Sequence, residues 1–66
     1  MYKMTSKHHS TVGHWERCES KTLEEAKREA SERFGDGYQD HKIVIAEDDE
    51  RSEVVTEKLV GASSWS

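Results

Sequence analysis

The stretch Thr22-Leu23-Glu24-Glu25-Ala26-Lys27-Arg28-Glu29-Ala30-Ser31-Glu32-Arg33-Phe34-Gly35 decides how the rest of the chain is read. Thr22 followed by Glu25 fits a capping box, in which the hydroxyl accepts from the amide three residues on and the Glu side chain reaches back. Glu24 and Glu25 also place negative charge at the positive end of the helix dipole. Leu23, Ala26, Ala30 and Phe34 recur at helical spacing and form one apolar stripe, with Glu24, Lys27, Arg28, Ser31 and Glu32 opposite. Gly35, just past the stripe, predicts a left-handed C-cap. Ala26 and Ala30 are small, so the helix axis can lie close to whatever it covers.

A helix with one apolar stripe needs a layer beneath it, and the flanking apolar residues read as strands. Ile43-Val44-Ile45 is β-branched, follows Gly35-Asp36-Gly37 and stops at the acids from Glu47, which predicts a strand of about six residues centred on Val44. Val54, Val55, Thr56, Leu59 and Val60 predict the next strand, ended by Gly61, with Asp48-Asp49-Glu50-Arg51 as a hairpin loop of ordinary length. Before the helix, Tyr2 and Met4 alternate with polar residues, residues 9–13 read as a turn, and residues 14–20 as a returning strand. Trp15 and Cys18 fall on opposite faces of a regular strand. Either a bulge intervenes, or Trp15 lies on the face away from the helix.

The expected fold is α+β with the order ββαββ: an antiparallel three- to four-stranded sheet, one helix packed on one face, residues 1–66 a single domain. The other face would carry Val44, one of Val54 or Val55, and Trp15. Antiparallel sheets tolerate one solvated face, but an apolar patch there suits a partner, or a homodimer formed through the open sheet face.

Size and composition narrow the function classes. The chain has 66 residues, with 14 acidic and 10 basic side chains, four His, one Cys and no Pro. A chain this short buries only about 60% of its unfolded surface, and a small-molecule pocket of roughly 300–1,000 Å³ sits poorly beside so small a core. One Cys excludes an internal disulfide, so a reducing cytoplasm is the expected location. The longest apolar run is residues 43–46, so neither a membrane span nor a signal-peptide core is expected.

Charge is the most localised signal. Residues 35–53 hold seven acids against Lys42 and Arg51, whereas residues 1–18 hold three bases against Glu16. Glu47, Asp48, Asp49, Glu50 and Glu53 are therefore the first candidate contact patch, and the open sheet face with Trp15 and Val44 the second. Acids at this density either form a solvated loop that blunts a sheet edge or dock on a basic groove of the kind that holds nucleic acid. Their spacing lacks the central Gly and terminal Glu of an EF-hand. A pI near 5.5 is not that of a duplex binder, so direct nucleic-acid binding is not expected. Lys3, Lys7, Arg17 and the histidines supply the only modest positive area.

Residues with catalytic or metal-binding chemistry are few. His8, His9, His14 and Cys18 resemble zinc ligands in type, but zinc needs three or four donors within about 2.0–2.3 Å of one point. Extended backbone separates the Cα atoms of His14 and Cys18 by about 13 Å. These histidines are read as polar strand-end residues, and neither metal nor other cofactor is expected. Cys18, just before the helix, reads as a small core residue; a nucleophile needs a base in reach and a cleft. Gly35-Asp36-Gly37 follows a helix where a phosphate loop precedes one. No catalytic residue is nominated, and the chain is not expected to be an enzyme. Trp65, after Gly61-Ala62-Ser63-Ser64, is expected to fold back over the core edge; the alternative is a partner anchor.

The run Ser20-Lys21-Thr22-Leu23-Glu24-Glu25-Ala26-Lys27-Arg28-Glu29-Ala30 is preceded by a strand with a short polar step and followed by two strands and a terminal Gly…Trp. That arrangement resembles small βαββ proteins of phages and other mobile elements, including anti-CRISPR inhibitors of type I effector complexes. The likeness covers about two-thirds of the chain. Its matching positions are structural, Thr22 as cap and Leu23, Ala26 and Ala30 as core, so it transfers no functional residue. It implies a non-enzymatic inhibitor, acting in the cytoplasm of a bacterial host, that occupies a surface of a nucleic-acid-handling complex and blocks target DNA. With this acidic balance, the hairpin acids would imitate DNA. The Thr-Leu-Glu-Glu-Ala helix start after a strand is also similar to HicB-type antitoxins. That likeness implies the alternative of a small antitoxin-like or regulatory protein that binds nucleic acid directly. The Pro-containing strand-end motif and the separate DNA-binding tail of that group are missing.

Overall fold

In the computed structural model, which describes residues 1–37 and 40–65, the centre of the sheet is the antiparallel pair β1 (Tyr2–His8) and β4 (Lys42–Glu47). Met4 lies opposite Ile45 and Ser6 opposite Ile43. Side chains alternate along a strand, so Tyr2, Met4, Ile43 and Ile45 share one face. The helix α1 (Leu23–Phe34) lays the fully buried Ala26 and Ala30 over that face. Two alanines at this spacing keep the helix close, and Cys18 and Val60 complete the buried cluster. The fold is α+β, with the helix on one face of an antiparallel sheet.

The helix reaches β1 and β4 but not the last strand, β5 (Val54–Leu59). The C-terminal segment closes the helix side of β5 instead. Val60 is buried, Trp65 packs against the core, and Lys58 Nζ lies 5.4 Å from the Trp65 ring centroid. The expected fold-back of Trp65 is thus present.

The returning strand after β1 is divided into β2 (Thr11–Val12) and β3 (Glu16–Arg17), which gives five strands among the described residues. Val12 pairs with Lys7 and Arg17 pairs with Lys3, so the register slips by one residue between them. Residues 13–15 take up the slip as a bulge. Beyond it, Cys18 N donates to Tyr2 O at 2.9 Å. Cys18 therefore joins the helix face while Trp15 lies on the other.

Three local expectations are corrected. Thr22 is the N-cap and its hydroxyl accepts from Glu25 N at 3.2 Å, but the return bond from Glu25 is not formed among the described residues. Gly35 is right-handed, with φ −63° and ψ −23°, and not a left-handed cap. A Cβ at position 35 would lie 2.3 Å from the Ser31 carbonyl oxygen, so this glycine supplies room for a tight last turn. The left-handed glycine is Gly61, at φ 87°, one residue after the buried Val60 that ends up in a turn and not in β5.

On the face away from the helix the middle is covered, while Val12, Val54 and Leu59 on the flanking strands stay exposed. Thr5, Val44 and Ala46 point to that side, yet Val44 is only 4% exposed and the other two are fully buried. The long side chains alternating along the sheet, such as Lys3 and Lys42, and the Trp15 ring lie there with them. No helix among the described residues is long and apolar enough to cross a membrane.

Candidate functional site

The β1–β4 pair runs from Tyr2 opposite Glu47 to Lys7 opposite Lys42. At roughly 3.3 Å per residue its two ends are about 17 Å apart, and each gathers a different set of polar side chains.

At one end is the loop that joins β4 to β5. Asp49 Oδ1 accepts from the backbone amides of Arg51 and Ser52, both at 3.0 Å, which shapes a turn in which Ser52 adopts φ 50°. Arg17 Nε donates to Asp48 Oδ2 at 2.6 Å. Two of the five acids singled out from the sequence, Asp48 and Asp49, are thus engaged within the chain. Glu47 is half-buried, while Glu50 and Glu53 are exposed. The side chains of Glu50 and Glu53 make no ion pair or hydrogen bond among the described residues.

Trp15 belongs to this same end. Lys3 Nζ lies 4.9 Å from the Trp15 ring centroid and also donates to Ser52 Oγ in the acidic loop. Lys3 therefore ties the half-buried Trp15 to the hairpin. The acidic hairpin and the Trp15 surface, separate candidates in the sequence, form one patch. Pairing of β1 with both β3 and β4 also sets Lys3 and Arg17 near the acids, so the hairpin charge is partly offset from the N-terminal segment. Val44, nominated as an open-face contact, lies beneath this surface and presents almost nothing to a partner.

At the other end, His8 and His41 extend the register by one pair beyond Lys7 and Lys42. Their rings stack with centroids 4.5 Å apart, and the His9 ring lies 4.2 Å from that of His8. His8 Nε2 is 2.8 Å from Asp40 Oδ2, and His41 Nε2 is 3.9 Å from Asp40 Oδ1. The His8 hydrogen bond, against slight desolvation, holds the Asp40 carboxyl below its ordinary range. One ligand-capable atom from each of His8, Asp40 and His41 falls within 4.8 Å of the others. In the sequence, His8 and His9 group by type with His14 and Cys18. The structure keeps His8, leaves His14 and Cys18 out, and brings in Asp40 and His41 from 32 or more residues away along the chain.

Cys18 is fully buried, and its thiol is pushed up to about 11, first by burial and then by the negative charges of Glu29 and Asp48. The nucleophilic and metal-binding form is the thiolate, so this environment opposes both roles. Among the described residues, every buried side-chain nitrogen or oxygen has a hydrogen-bond partner. No protein-family model, curated protein or solved structure matches the chain.

Proposed function

We propose that this chain is a non-enzymatic binding protein that docks on a basic protein surface through Glu50, Glu53 and Trp15. The observation that carries the reading is the bridge from Trp15 through Lys3 to Ser52, which ties an aromatic side chain to the loop whose Glu50 and Glu53 carboxylates are exposed and have no partner among the described residues. Aromatic anchors flanked by charge are common at interface hot spots, and complementary charge steers encounter and register. Glu47, Asp48 and Asp49 shape this patch and add to its negative field.

The partner that fits this chemistry, and the one implied by the resemblance to anti-CRISPR proteins, is a nucleic-acid-handling complex of a bacterial host. The acidic hairpin would there occupy a surface that otherwise holds nucleic acid. The proposed setting is the host cytoplasm.

Capture from bacterial lysate followed by binding to the purified complex tests the reading. Glu50→Lys combined with Glu53→Lys should weaken binding at least about tenfold, as loss of roughly 1.4 kcal/mol or more from a charged contact implies, with unchanged thermal stability. Recovery of no nucleic-acid-handling complex would sink it. A salt-dependent gel shift with free nucleic acid would instead favour the antitoxin-like alternative.

A further inference from the structure

We propose that His8, Asp40 and His41 form a binding site for one divalent transition-metal ion of the zinc class. The site lies at the end of the sheet opposite the acidic hairpin and is independent of the docking reading.

The placement of the donors follows from the strand register. Lys7 and Lys42 are the last pair of β1 and β4, so His8 and His41 occupy the next cross-strand position on the helix side. Neighbouring cross-strand residues have Cβ atoms about 4.5–5.5 Å apart, and here the two rings stack at 4.5 Å. The backbone at His41 is held from its other side as well, because Val60 N donates to His41 O at 2.9 Å. Both imidazoles therefore stand on fixed backbone, and only side-chain rotation, of the exposed Asp40 and of one stacked ring, is needed to bring the donors together.

The distances suit such an ion. Metal–ligand bonds of about 2.0–2.1 Å in a tetrahedral arrangement put donors roughly 3.4 Å from one another. The two contacts to Asp40, 2.8 Å from His8 and 3.9 Å from His41, lie on either side of that value. All three donors are within 4.8 Å of one another, so modest rotation of Asp40 and one ring completes the triangle. Two imidazoles with one carboxylate favour zinc and its transition-metal neighbours; calcium takes six to eight oxygens. Three protein ligands leave a position for water or for a donor from a partner molecule. His9 neighbours His8 but sits in the β1–β2 turn at φ 57°, a conformation in which His is enriched for backbone reasons.

Zinc chloride titrated into the full chain, followed by calorimetry and by amide and imidazole NMR shifts, tests the site. The expected result is one ion per chain, with shifts centred on His8, Asp40 and His41. His8→Ala and His41→Ala should each weaken zinc binding by at least about tenfold, the loss usual for disturbed metal ligation, while His14→Ala leaves it unchanged. Should either alanine variant misfold, the wild-type shift map alone decides. The proposal is overturned by absence of binding at large zinc excess, by shifts centred on the acidic hairpin, or by an equal loss in His14→Ala.

Discussion

The Glu29 carboxylate accepts from the Ser20 hydroxyl at 2.8 Å and from the backbone amides of Glu19 and Ser20 at 3.0 and 3.2 Å. These bonds fasten the segment between β3 and α1 to the middle of the helix. Helix entry is thus secured by a residue one to two turns inside the helix, together with the single Thr22 cap bond.

Glu29→Gln should therefore destabilise the fold by about 1–3 kcal/mol near neutral pH, the range for hydrogen bonds to a charged group. Burial alone would raise the Glu29 carboxyl, but the bonds from Ser20 and Glu19 outweigh it and hold the group below its ordinary 4.5. With the folded value depressed, the stabilisation is full above pH 4.5 and is lost as pH falls through the lower folded value. Urea unfolding of both chains should show the gap between them narrowing as acid is added. A gap that stays constant with pH would mean the charge contributes nothing.

Cys18 should resist thiol reagents in the folded protein. Raising the thiol from 9.0 to about 11 cuts the thiolate fraction at mildly alkaline pH about 100-fold relative to the unfolded chain, and full burial lowers access further. Stability falls as pH rises above 9.0, where the unfolded chain gives up this proton and the folded one does not. Reaction with an aromatic disulfide reagent, with and without urea, measures both effects. Rapid labelling of the folded chain would contradict this placement.

Gly35→Ala is expected to reverse the usual sign of such a change. At right-handed helical angles, Gly to Ala ordinarily stabilises by about 0.4–1 kcal/mol. Here the added methyl would meet the Ser31 carbonyl oxygen at 2.3 Å, and that atom belongs to the helix backbone and cannot swing aside. A net loss of about 1–3 kcal/mol follows, as in other overpacked sites. Thermal unfolding reads the sign directly.

The parts of the fold that were legible depend on local pattern. Thr22 to Phe34 carries its own cap, stripe and spacing, and Ile43-Val44-Ile45 carries its own β-branched signal, so helix, central strand and α+β class could be read from residues alone. What could not be read depends on register. Trp15 and Cys18, three residues apart, face opposite ways by alternation alone, but the single-residue slip between Val12 and Arg17 decides that Cys18 takes the helix side and Trp15 the other, where Lys3 joins it to the acidic hairpin. Composition near residues 13–15 offers only Gly13 as a hint. The grouping of His8 with Asp40 and His41 is likewise a consequence of β1 pairing with β4 across the helix, and no spacing within one segment encodes it.

The two tryptophans should separate stability from binding. Trp65 packs against the buried cluster and closes the side of β5 that the helix does not reach, so Trp65→Ala opens the core edge to water. A fully buried Trp→Ala change costs about 3–5 kcal/mol; half-burial here brings the expectation to about 2–3 kcal/mol. In a domain of this size that lowers the melting temperature by roughly 10–20 °C. Trp15 lies on the opposite face, held by the Lys3 cation and bonded to nothing in the core cluster. Trp15→Ala should cost about 1 kcal/mol or less in stability, in the range of an exposed cation–π contact with some lost cover, while weakening partner binding at least about tenfold. Melting curves and binding isotherms on the two variants give four numbers. If Trp15→Ala proves the more destabilising, its ring is roofing Thr5, Val44 and Ala46 as a second core, and the docking surface reduces to the exposed carboxylates alone.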